Sequence, residues 1–121
     1  MNASKQKGTR FETLIARYLS ERLGAEITRR ALTGAQDRGD IEGVKAGGYR
    51  VVIECKDTKR PDLPKHMRET ARECANDGAR IGVLVQHAPG VGAVHVGSNW
   101  AVMTVDDLIS LINLANRKEE Q

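Results

Sequence analysis

The sequence predicts an α/β chain in which a mixed sheet carries helices, an α+β arrangement. Three observations lead there. A helical apolar period runs through the first 23 residues, two β-runs flank the pair Gly47-Gly48, and a continuous apolar run at 81–86 follows a second helical segment. At 121 residues, 40% hydrophobic and 29% charged, the chain reads as one globular domain spanning 1–121.

Helix one is expected from about residue 5 to Leu23, ended by Gly24, with Phe11, Leu14, Ile15, Tyr18, Leu19 and Leu23 as its apolar stripe. A short strand, about Glu26 to Arg30, precedes a loop over 31–39. Asp40 to Lys45 and Tyr49 to Lys56 form two strands joined by Ala46-Gly47-Gly48, a hairpin signal. In the second strand Val51, Ile53 and Cys55 share one face, and Val52, Glu54 and Lys56 share the other. Asp62 caps helix two, with Pro64 in its first turn and Gly78 past its end. Its expected buried stripe is Leu63, Met67, Ala71, Cys74 and Ala75. Ile81 to Gln86 reads as a strand buried on both faces and parallel to its predecessor. Trp100 to Met103 adds a strand, and Thr104 with Asp107 starts a last helix at about 105–117. Leu108, Ile109, Leu111, Ile112 and Leu114 cover roughly 220° of that helix, more than one core-facing stripe needs. Either a subunit interface or deeper burial in the monomer accounts for the excess.

Charge and composition narrow the partner classes. The net charge is +3, but residues 1–80 carry a balance of +5 and residues 81–121 one of −2. A positive field in the first two thirds suits a polyanion. An aromatic fraction of 3% argues against single-strand binding by base stacking. Cys55 and Cys74 have neither disulfide-framework nor zinc spacing and read as core residues of a reduced, intracellular protein. The start lacks an apolar signal core, and no apolar run reaches the length of a membrane span.

Glu54-Cys55-Lys56 is the sharpest local feature, because a carboxylate and an ammonium two apart on a strand point to one side. A hairpin of this length returns Glu54 toward Asp40, and two converging carboxylates make a Mg²⁺ site completed by waters and phosphate. Lys56 beside it can orient and deprotonate a water or stabilise charge in a phosphoryl transition state. Glu12, at the edge of helix one's buried face, adds a third carboxylate. Each residue also has a plain reading: Glu54 and Lys56 as a solvated pair, Asp40 as a turn former, Glu12 as a helix-surface charge. Their joint placement tips the balance toward chemistry. His66, His87 and His95 are scattered and lack ligand spacing, and Gly90-Val91-Gly92 reads as a turn.

The segments Lys7-Gly8-x-x-Phe11-Glu12, Arg29-Arg30-Ala31-x-Thr33-Gly34, Gly39-Asp40-Ile41 and Ile53-Glu54-Cys55-Lys56 together resemble the PD-(D/E)xK nucleases. Within them the chain is most similar to archaeal-type and phage Holliday junction resolvases. The resemblance covers about residues 5–86 and implies a restriction-endonuclease-like αβββαβ core, here with an extra C-terminal strand and helix at about 100–118. It implies Asp40 and Glu54 as metal ligands, the Cys55 backbone carbonyl as a third, Glu12 near the metal, and Lys56 as the catalytic lysine. Thr33 falls where these resolvases carry a loop hydroxyl close to the scissile phosphate. Gly39 stands where the motif's name has proline. The implied activity is Mg²⁺-dependent hydrolysis of DNA phosphodiesters at four-way junctions, with Mn²⁺ as a substitute, by a homodimer matching the junction's two-fold symmetry. The setting expected is the cytoplasm, of a host cell if the protein is viral. Candidate phosphate contacts are Lys7, Arg10, Arg29, Arg30 and Arg38, joined by Lys59, Arg60, Lys65, Arg68 and Arg72. Arg29 and Arg30 read equally well as a solvated strand-end pair. Two rivals stand beside the junction reading: a flap, nicking or restriction-like nuclease of the same superfamily, and a non-catalytic DNA-binding module of the same fold.

Overall fold

A computed structural model describes residues 3–30 and 38–119. Helix α1 (Ala3–Leu23) is followed by strands β1 (Thr28–Arg29), β2 (Ile41–Glu42), β3 (Lys45–Ala46) and β4 (Tyr49–Lys56). Helix α2 (Leu63–Asp77) leads to β5 (Ile81–Gln86), a 3-10 segment (Ala93–Ser98), β6 (Trp100–Val102) and α3 (Val105–Glu119). The six strands form a mixed sheet in the order β1-β2-β4-β5-β6, with β3 paired to β4. The fold is α+β, as the element pattern predicts. Among the described residues no helix is long and apolar enough to cross a membrane.

β4 and β5 pair in parallel along their whole length, from Val51 opposite Ile81 to Lys56 opposite Gln86. A parallel pair needs a crossover, and α2 supplies it. Alternation along both strands then divides the sheet. Ile53, Cys55, Ile81 and Val83 join Phe11, Ile15 and Ala16 of α1, together with Val96 and Leu114, in one apolar core. The opposite face, carrying Val52, Glu54, Lys56 and Leu84, lies under α2.

The structure corrects the sequence reading in three places. The strand expected over Asp40–Lys45 is broken into β2 and β3 at Gly43, which has φ of 100°. A side chain there would collide with the carbonyl oxygen of Glu26, so the chain turns out of plane where a longer strand would continue. The hairpin turn itself is only Gly47-Gly48, both with positive φ, and Ala46 remains paired with Tyr49 in the ladder.

The third correction concerns α2. Its caps are as expected: the Asp62 side chain accepts from the Lys65 amide, and Gly78 closes the end in the left-handed conformation. Its buried face is rotated by one residue, about 100°. His66, Thr70 and Glu73 are buried, whereas Leu63, Ala71 and Ala75 are exposed. Packing against the sheet overrides the apolar stripe because Gly82 has no side chain: a Cβ there would lie 3.2 Å from Thr70 Cγ2 and 3.4 Å from Cys74 Cβ. Thr70 tolerates the dry position by donating its hydroxyl to the His66 carbonyl at 2.8 Å.

α3 starts as expected, with Thr104 Oγ1 accepting from the Asp107 amide. Asp107 in turn accepts from the Gly82 amide, pinning the helix to β5. Leu114 is buried and Leu111 half-buried, but Leu108, Ile109 and Ile112 are each 44–50% exposed and Val105 is 72% exposed. Deeper burial therefore accounts for part of the apolar excess only.

The two kinds of glycine constraint separate in a denaturation experiment. Gly48→Ala meets no neighbouring atom and suffers only the left-handed backbone, about 1–2 kcal/mol. Gly43→Ala adds a backbone collision and is expected to lose clearly more stability in urea unfolding. Equal losses would contradict the close approach of Gly43 to Glu26.

Candidate active site and metal centre

Ile41 pairs with Ile53 in the antiparallel β2–β4 ladder, and Asp40, one residue before β2, brings its carboxyl up to that of Glu54. Asp40 precedes β2, and its amide donates to the Ile53 carbonyl. Its Oδ2 accepts from the Cys55 amide at 2.8 Å, fixing the carboxylate against β4. Glu54 lies 4% exposed between the sheet and α2. Burial, then the nearby carboxyls of Asp40 and Glu73, hold its carboxyl far above the ordinary carboxylate range. Its Oε1 is buried and has no hydrogen-bond partner.

Lys56 follows on the same face. Its ammonium is 2.9 Å from Glu69 Oε2 and 3.8 Å from Glu54 Oε2. Burial lowers its pKa, but the hydrogen bond it donates to Glu69 and the nearby Glu54, Glu69 and Asp40 carboxyls outweigh that and hold it raised. The same bond lowers the Glu69 carboxyl. His66, one turn earlier on α2, is buried, and burial together with the nearby Lys56 charge pushes its imidazole down.

Glu12 sits half-buried on α1, and its Oε1 accepts from Arg29 Nε at 3.2 Å. Burial and the Asp40 charge raise its pKa while Arg29 opposes them. The structure thus brings Asp40, Glu54 and Lys56 together on one sheet face and sets Glu12 within electrostatic reach. Thr33 lies outside the described residues.

Among the described residues, no three His, Cys, Asp or Glu side chains are arranged to hold a metal ion together. What the fold offers is the Asp40–Glu54 pair, with an orphaned buried oxygen on Glu54. That donor set fits Mg²⁺, which commonly takes one or two carboxylates and completes its shell with water and phosphate.

The basic candidates divide into two groups. Arg10, Arg38, Lys59, Arg60, Lys65, Arg68 and Arg72 are exposed. Arg29 is paired with Glu12, Arg30 with Glu42 and Asp77, and Lys7 with Asp57 at 3.4 Å.

Sequence reasoning misses Glu69 and Glu73. Glu73 is 1% exposed beside Glu54, and Glu69 holds Lys56. The signal available was the polar stripe His66, Thr70, Glu73 at helical spacing, which the adjacent apolar stripe outweighed.

His87 follows β5 at the same end of the sheet, and its amide donates to the Lys56 carbonyl. Its ring stacks on Phe11 with centroids 5.1 Å apart. Nδ1 lies 2.7 Å from Asp57 Oδ1 and Nε2 lies 2.6 Å from the Val91 carbonyl. Two acceptors favour the doubly protonated ring, so the Val91 carbonyl and then Asp57 raise its pKa against burial and Lys7.

Comparison of the chain with protein-family models, with curated proteins and with solved structures finds no match.

The His87 arrangement predicts a pH dependence of stability. A raised folded-state pKa means its contribution is complete below the unfolded value of about 6.5 and fades as pH rises through the folded one. The stability difference between wild type and His87→Gln should therefore shrink from pH 6 to pH 9 in thermal melts. A difference constant across that range would contradict the imidazolium.

Proposed function

We propose that this protein is a metal-dependent endonuclease that hydrolyses DNA phosphodiesters, with four-way junctions as its substrate. The observation that carries the reading is the convergence of Asp40 and Glu54 where β2 meets β4, with Lys56 two residues on and an unpartnered buried oxygen on Glu54. A module that only bound DNA would gain nothing from carboxylates that repel phosphate. The order helix, β-hairpin, crossover helix and parallel strand around this pair supports a restriction-endonuclease-like core of the PD-(D/E)xK class.

Asp40, Glu54 and the Cys55 backbone carbonyl would hold Mg²⁺, or Mn²⁺ in its place, with Glu12 bordering the site from α1. Bound there, the cation would supply Lewis-acid stabilisation of charge on the scissile phosphate. Lys56 presents its ammonium beside the carboxylates, where it orients the attacking water and offsets negative charge gathering on phosphorus. The water attacks in line with the departing sugar oxygen. The exposed Lys65, Arg68 and Arg72 on α2, with Lys59, Arg60, Arg10 and Arg38, grip the backbone without reading sequence. Selectivity for branched structure over base sequence follows from such contacts.

A four-way junction presents two-fold symmetry, so paired cuts call for a symmetric dimer. The exposed Val105, Leu108, Ile109 and Ile112 follow the i, i+3, i+4, i+7 spacing of one helix stripe and are the surface we assign to it. The two free cysteines suit a reducing cytoplasm.

Incubation of a synthetic four-way junction with Mg²⁺ should yield paired nicks. Asp40→Ala and Glu54→Ala should each reduce cleavage by roughly a hundredfold or more while retaining junction binding. Undiminished cutting by both variants would overturn the site, and equal cutting of junction, flap and linear duplex would overturn the substrate. Ile112→Asp should convert a dimer to monomer in sedimentation velocity, whereas a wild type already monomeric at micromolar concentration would remove the dimer.

A further inference from the structure

We propose that Glu69 is the positioning residue of this site, the anchor that keeps the Lys56 ammonium in place once a cation occupies the neighbouring carboxylates. The inference rests on the nuclease reading above and adds to it a residue on α2 that no strand motif contains.

Lys56 has two carboxyl neighbours of unequal closeness. Glu69 Oε2 is 2.9 Å away, at hydrogen-bond distance, and Glu54 Oε2 is 3.8 Å away, in ion-pair contact only. A divalent cation held by Asp40 and Glu54 would repel the ammonium and leave Glu54 unable to serve as its partner. Among the described residues, the ion pair then left to Lys56 is the one with Glu69. A lysine stem has four rotatable carbons and loses considerable rotamer freedom when fixed, so an unanchored ammonium would swing toward water.

α2 is built to hold this anchor steady. Glu69 is only 20% exposed at its side chain, one residue from the buried Thr70 and one turn from the buried His66 and Glu73. The helix is seated on Gly82 through Thr70 and Cys74, so Glu69 projects from its rigid middle, away from both fraying ends. Lys56 in turn closes the far end of β4, opposite Gln86 in the parallel ladder. Both partners thus stand on regular elements, which is the condition for holding a reacting group to within a fraction of an ångström.

The experiment compares wild type, Glu69→Gln and Glu69→Ala. With junction DNA and Mg²⁺, Glu69→Ala should lose of order 10–100-fold in kcat with KM within about twofold, as expected of a misplaced group that does not bind DNA. Glu69→Gln keeps an oxygen acceptor at the same reach and should recover part of that loss. A second readout does not depend on cleavage. In the metal-free protein, NMR of lysine-labelled chains, with Lys56→Arg to assign the signal, should show a Lys56 ammonium protected from exchange. That protection should persist in part in Glu69→Gln and vanish in Glu69→Ala. Wild-type kcat in Glu69→Ala, a loss confined to KM, or an unchanged Lys56 signal would overturn the proposal. Absence of Mg²⁺-dependent cleavage by wild type would overturn the nuclease reading instead, and the NMR comparison would still decide whether Glu69 anchors Lys56.

Discussion

Glu54 occupies a position that a carboxylate normally avoids: the middle of a sheet, under a helix, almost without solvent. An ionised carboxylate in such a place costs several kcal/mol unless a counter-charge meets it. Its neighbours decide its charge. Asp40, fixed by the Cys55 amide, and Glu73, approaching from α2, add to burial in favouring the neutral carboxyl, while Lys56 brings a positive charge to the same face. The carboxyl resolves the conflict by favouring its protonated form.

α2 carries the consequences. A crossover helix on a parallel pair ordinarily buries an apolar stripe, and this one has such a stripe available in Met67, Ala71 and Cys74. It buries His66, Thr70 and Glu73 instead. The absence of a side chain at Gly82 lets Thr70 and Cys74 close onto the strand, and the resulting rotation turns Glu73 toward Glu54 and leaves Glu69 over Lys56. The basic residues Lys65, Arg68 and Arg72 are carried to the outer surface by the same rotation, so one helix supplies polar support inward and positive charge outward.

How far the sequence could be read follows from which constraint acts where. The α1 stripe, the Asp62 and Thr104 caps, the parallel run at 81–86 and the alternation in β4 were all legible, because each is decided by local chemistry or by period. The pairing of Asp40 with Glu54 was legible from hairpin length. The break at Gly43 was not, since its cause is the approach of the Glu26 backbone, 17 residues earlier in the chain. Nor was the buried face of α2, where a single glycine on another element outweighs the helix's own pattern. Glu69 and Glu73 were hidden by that same override. The ion pairs of Arg29 and Arg30 with Glu12, Glu42 and Asp77 join residues distant in the chain, so no local pattern announces them.

The division of the sheet into two faces has a bearing on how such a chain can change over generations. On one side, Ile53, Val83 and Ile81 meet α1 in an ordinary apolar core, where volume-conserving exchanges are well tolerated. On the other, a methyl group added at Gly82 would lie 3.2 Å from Thr70 Cγ2, and α2 would have to give by a few tenths of an ångström. Sequence drift thus meets tighter limits in one half of the interior than in the other. A lineage of such proteins could come to share little beyond a few polar positions and one small residue while keeping the same arrangement of charge.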